Sequence, residues 1–132
     1  MDVLLDTDVS IELMRGNPTP LSRIAALDGR VFVSAITVAE LYFGAYNSAH
    51  PAENAERVRR FLAEIPSFPL ACEIAERFGS LKADLKRNST QLGPLDLLIA
   101  ATALENGCAI ATGNIKHFLK VPGLQVLDWI RG

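Results

Sequence analysis

Three carboxylates interrupt apolar stretches instead of lying on charged faces. Asp6 ends the run Val3-Leu4-Leu5 in LLDTDVS, and Asp8 follows it across Thr7. Glu40 is the only charge between Arg30 and His50, within SAITVAELYFGA. Asp96 follows Gly93-Pro94-Leu95 and precedes LLIAATAL. An ionised side chain in an apolar setting needs a partner or a metal. If the three acids meet in one cleft they repel one another, and a hard divalent cation such as Mg²⁺ or Mn²⁺ resolves that repulsion with oxygen ligands. Such an ion can lower the pKa of a water, orient it for in-line attack and neutralise charge on phosphoryl oxygens, so the chemistry pointed to is phosphate-ester hydrolysis. Each acid also has a structural reading. Asp6 could cap a helix starting at Thr7, Asp96 could be an acid favoured by a helix dipole, and Glu40 could pair with a buried Arg.

The elements that must position these groups read as alternating strands and helices. Val3-Leu4-Leu5 is a strand buried on both faces, and Thr7 to Arg15 a helix ended by Gly16-Asn17-Pro18. Leu21 to Leu27 is helical, Val31-Phe32-Val33 is a second buried strand, and Ile36 to Asn47 is the helix carrying Glu40. Pro51 opens a helix to Glu64, Pro66 and Pro69 bracket a short extended piece, and Ala71 to Lys86 is a further helix. After a loop from Asn88 to Gly93, Pro94 opens a helix to Glu105 that places Asp96 at its third position. Ala109-Ile110-Ala111 and Gln125-Val126-Leu127 are the last strands. Short apolar strands joined through helices predict the α/β class: one domain over residues 1–132, three layers, a parallel sheet with helices on both faces. Ligands of such sheets sit at the carboxyl ends of strands, where Asp6 falls.

Composition narrows the function classes. At 132 residues, with 49 % apolar and 21 % charged residues, the chain has enough core for one domain. A net charge of −2 argues against a protein that coats nucleic acid, although Arg57, Arg59 and Arg60, then Lys82, Lys86 and Arg87, then Lys116, His117 and Lys120 form local basic groups able to touch phosphates. No apolar run approaches the ~18 residues of a membrane span. Asp2 and Asp6 do not suit a signal peptide, so a cytosolic location is expected. Cys72 and Cys108, with no Cys or His at ligand spacing, are expected to be buried reduced thiols.

LLDTDVS, VSAITVAELYFGA and LGPLDLLIAATALENGCAIATGNIKHF, followed by VPGLQVLDW, resemble the successive acidic motifs and final strand of PIN-domain ribonucleases, specifically VapC-type toxins of toxin–antitoxin pairs. The likeness spans nearly the whole chain. It implies an Mg²⁺- or Mn²⁺-dependent endoribonuclease with Asp6, Glu40 and Asp96 as the matching acids: Asp6 and Asp96 as main metal ligands, Glu40 as a further ligand or the group that deprotonates water. Thr7 would hold carboxylates or a water through its hydroxyl, and Asp8 would support the site. Members commonly carry a fourth acid in a T-x-D segment, or T-x-N followed by an acid before Phe, where this chain has Thr112, Asn114 and His117. One tightly bound ion is therefore expected, with Asn114 able to coordinate through its amide oxygen. The resemblance also implies an RNA substrate, an antitoxin protein that folds on binding, and a homodimer, for which Leu41, Tyr42, Phe43 and Tyr46 supply apolar surface.

Three other classes fit parts of the pattern. DTDVS after a strand suits a phosphatase with a nucleophilic Asp, but such enzymes need a later Lys and an acidic pair, and the LGPLDLLIAATAL segment supplies Asp96 alone. A receiver-like signalling domain needs an acceptor Asp after a central strand, where Val33 is followed by Ser34. A PIN-fold binding protein that has lost its chemistry would also fit the missing fourth acid.

Overall fold

The computed structural model describes residues 1–131. Strand β1 (Asp2–Leu5) leads into helix α1 (Thr7–Met14) and helix α2 (Pro18–Ala26); β2 (Val31–Ser34) is followed by α3 (Ala35–Tyr46), α4 (Pro51–Glu64) and the two-residue β3 (Ser67–Phe68). Then come α5 (Cys72–Arg87), α6 (Pro94–Glu105), β4 (Cys108–Thr112), α7 (Ile115–Phe118) and β5 (Val126–Asp128). The five strands form one sheet in the order β3-β2-β1-β4-β5, and every pairing is parallel.

Side-chain alternation along the strands builds two cores. Leu4 and Ile110 point to one face and pack against Ile74, Leu81 and Leu85 of α5, Leu97 and Ile99 of α6, and Phe118 of α7. Val3, Leu5, Ala109 and Ala111 point to the other, against Val9 of α1, Ile24 of α2 and Phe61 and Leu62 of α4. The result is three layers. Leu5 pairs with Ala111 and Thr112 with Asp128, which brings the ends of β1, β4 and β5 level at one edge of the sheet. After β1 the chain moves outward to β2 and β3, then returns to β4 on β1's other side, so strand order reverses between β1 and β4. A crevice opens at the carboxyl ends of strands at such a point.

Four readings need correction. Helix α2 starts at Pro18, not Leu21, because the Asn-Pro pair that stops α1 also starts the next helix: the Asn17 side chain accepts from Thr19 N–H and Pro18 takes the first position. The four-residue helix α7 is too short for its periodicity to be legible. Cys72 is exposed at the start of α5, whereas Cys108 is buried as expected. Val31 and Phe32 are only half-buried, since β3 covers just the end of β2; Phe32 instead stacks on Phe68 with ring centroids 4.4 Å apart.

Candidate active site

Asp6 is both cap and buried acid. Its Oδ1 accepts the Thr7 N–H at 2.8 Å, which starts α1, and its Oδ2 accepts the Thr112 hydroxyl at 2.8 Å from the end of β4. The side chain is 5 % exposed. Burial, then the charge of Asp8, hold its pKa up to about 7 against hydrogen bonds that lower it, and Asp96 adds to the rise. Asp8, one step along α1, is anchored by the Val9 N–H at 2.7 Å and the Gly113 N–H at 2.8 Å. Its pKa is also raised, chiefly by burial, with Asp96 and Asp128 contributing. Gly113 has no alternative here. A Cβ at that position would lie 2.8 Å from Ile130 Cγ1 and 2.9 Å from Asp8 Oδ2.

Asp96, in the first turn of α6, reaches the same field from across the crevice and stands 3.4 Å from His117 Nδ1 on α7. Glu40 joins differently. Thr7 donates its hydroxyl to Glu40 Oε1 at 2.6 Å and lies 3.0 Å from the Thr37 hydroxyl, while Ser34 caps α3 at the Thr37 N–H and sits 3.4 Å from the Thr37 Oγ1. A line of hydroxyls thus connects the end of β2 to Thr7, whose own N–H holds Asp6. Thr37 and Glu40 are three residues apart on α3 and share a face, a spacing that makes Thr37 readable as a partner once Glu40 is suspected.

The structure therefore brings Asp6, Asp8 and Asp96 into one electrostatic cluster, sets Glu40 beside it through Thr7, and uses Thr112 as a direct support of Asp6. Asp8 is coupled to both Asp6 and Asp96 while its oxygens are tied to the Val9 and Gly113 N–H groups. Asn114 is exposed and enters through its backbone N–H, which donates to Thr112 Oγ1 at 2.9 Å. Asp128 is an acid that sequence reasoning missed. It ends β5 as Asp6 follows β1, and its pKa is lowered by the Arg131 N–H, with further bonds from Ile130 N–H and the Arg131 guanidinium. Its signal lay in LQVLDW, where an acid terminates an apolar strand.

The donors available are carboxylate and hydroxyl oxygens, the set a hard divalent cation takes. Among the described residues no three His, Cys, Asp or Glu side chains form a complete ligand group. Mg²⁺ does not require one, since it keeps several waters and is held by one or two carboxylates. Residues 3–124 match the model of the PIN domain. The chain belongs to the PIN-domain family. The PIN domain here is 34 % identical over 128 residues to ribonuclease VapC2 of Haemophilus influenzae, covering 96 % of this chain and 97 % of that one. It is 31 % identical to the tRNA(fMet)-specific endonuclease VapC of Salmonella typhimurium, covering 96 % of each. A crystal structure of DNA-bound VapBC from Salmonella typhimurium superposes with a TM-score of 0.90 at 30 % identity, covering 98 % of both chains. These likenesses make the PIN domain a nuclease of the VapC ribonuclease group with an α/β fold. No helix among the described residues is long and apolar enough to cross a membrane.

Proposed function

We propose that this protein is the toxin of a toxin–antitoxin pair, a cytoplasmic Mg²⁺- or Mn²⁺-dependent endoribonuclease whose ion is held by Asp6 and Asp96, with Asp8 supporting them. The observation that carries the metal assignment is a buried Asp6 beside two further carboxylates: burial first, then the charge of Asp8, hold its pKa up to about 7, and Asp96 adds the least. A cation removes that repulsion. A bound divalent ion supplies charge neutralisation at the phosphoryl oxygens and acidifies water.

The chain's own groups do the rest. Thr112 and the Thr7 N–H fix both oxygens of Asp6, so its orientation is set before substrate arrives. Glu40 is held at Oε1 by Thr7, which leaves Oε2 to accept a proton from the attacking water. In place of Glu40 as a metal ligand, its attachment to Thr7 favours this base role. His117, beside Asp96, stands where an incoming phosphate would pass.

The antitoxin assignment is drawn from relatives whose structures are VapBC complexes. A homodimer remains part of this reading: Leu41 belongs to the core, but Phe43 and Tyr46 are 69 % and 59 % exposed on α3. Light scattering at micromolar concentration tests it, and a monomer would count against it. Induced expression tests the toxin assignment. Wild type should arrest growth and generate new RNA ends that map to single-stranded loops; continued growth with intact RNA would overturn it.

A further inference from the structure

The chain has four lysines, Lys82, Lys86, Lys116 and Lys120, and all four lie on α5 or in and beside α7. Two of them line one groove and a third reaches its rim. Lys82 and Lys86 line an 870 Å³ cleft between the end of α5 and the start of α6, together with Gln91 and His117. Lys120 Nζ reaches the Gln91 carbonyl at 3.4 Å, and Lys116 neighbours His117 on α7. No carboxylate lines the cleft.

The arginines behave differently. Arg15, Arg30, Arg59, Arg60, Arg77, Arg87 and Arg131 each pair with an Asp or Glu, whereas no lysine does among the described residues. Lys82 rests its ammonium 5.7 Å from the Phe78 ring centroid, and Lys86 is exposed. Arg57, whose guanidinium donates to the Met14 carbonyl, lies elsewhere on α4; in a chain of net charge −2, Lys82 and Lys86 thus place two cations without carboxylate partners at one cleft, and His117 connects that cleft to Asp96.

We propose that this cleft binds the phosphodiester backbone of single-stranded RNA on one side of the scissile phosphate, with Lys82 and Lys86 as phosphate contacts and His117 at the threshold of the acidic centre. The inference rests on the ribonuclease reading. Its physics is charge complementarity: a polyanion strand must approach a cluster of acids that repels it, and flanking cations offset that repulsion while releasing counterions. Base identity is not read by such contacts, so the groove sets affinity and register while loop shape sets the target.

The test uses the full chain carrying Asp6→Asn, in Mg²⁺, so that a fluorescein-labelled oligouridylate of about 12 nucleotides stays intact. Anisotropy titrations across salt give the slope of log affinity against log salt. Adding Lys82→Gln and Lys86→Gln, which keep helix propensity, should make that slope shallower by about 0.7 per contact, about 1.4 for both, and weaken binding about 25-fold near 0.1 M salt. Arg59→Gln with Arg60→Gln on α4, remote from the cleft, should leave the slope alone. An unchanged slope in the lysine variant overturns the groove. If the lysine changes release a labelled oligoglutamate but not the RNA, the cleft belongs to an acidic polypeptide and the RNA assignment fails. Cleavage that persists in Asp6→Asn separately refutes the reading of Asp6 as the ligand of a catalytic metal, whatever the slope does.

Discussion

Replacing Asp6 with Asn should stabilise the metal-free protein at pH 8 and destabilise it at pH 4.5. The folded-state pKa of Asp6 is about 7 against an ordinary 3.8, so the folded protein holds this proton more tightly than the unfolded chain does. Between those values the native state binds more protons. Stability from this group therefore falls as pH rises from about 4 to about 7, and stays low above it. Three units correspond to about 4 kcal/mol. Asn escapes that cost, but its NH₂ replaces the oxygen that accepts from Thr112, whose hydroxyl also accepts from the Asn114 N–H. Disturbing that pair costs about 1–2 kcal/mol. The net at pH 8 is a gain of about 2–3 kcal/mol, or about 10 °C in Tm for a chain of this size. Near pH 4.5 Asp6 is already protonated in the fold, only the hydrogen-bond cost remains, and Tm should drop by about 5 °C. Calorimetry in EDTA at the two pH values is the assay. A change of one sign at both would refute the claim that Asp6 carries a strained charge.

Three other perturbations follow from the same geometry. Mn²⁺ affinity, followed by its paramagnetic resonance, should rise about tenfold per pH unit up to about pH 7 and then level off at one ion per chain, because Asp6 must lose its proton to bind; a pH-independent affinity would contradict this. Gly113→Ala forces a Cβ against Ile130 and Asp8 and should cost about 1–3 kcal/mol in stability with a larger fall in RNA cleavage, read by thermal melts and gel assays. Thr37→Val, isosteric but without its hydroxyl, should lower kcat by about tenfold through a loosened Thr7 and Glu40 while leaving KM for RNA and Mn²⁺ affinity unchanged; a pure KM effect would count against it.

Much of the arrangement was legible because apolar patterning and chemistry coincide. Val3-Leu4-Leu5 had to be a buried strand, and its carboxyl end fixed where Asp6 could act. Pro94, at the start of α6, places Asp96 in its first turn. What escaped was long-range. Thr112, 106 residues away in sequence, became Asp6's donor only once β4 paired with β1. Asp128 looked like the polar end of an edge strand, and only the level strand ends bring it near Asp8. Glu40 met the expectation of a partner for a charge on an apolar helix: that partner is the hydroxyl of Thr7, which only the packing of α1 against α3 supplies. The missing fourth acid also changes meaning: at that end of the site the chain carries His117 beside Asp96, continuous with a cleft lined by Lys82 and Lys86 and by no carboxylate.

The central claim is that a carboxylate-held divalent ion cuts RNA, and purified protein on a structured RNA tests it most directly. Wild type should cleave in Mg²⁺ or Mn²⁺, stop in EDTA, and lose at least about a thousandfold in rate on Asp6→Asn, the scale on which a main ligand acts. Cleavage that persists in EDTA, or an Asp6→Asn protein as fast as wild type, would contradict it.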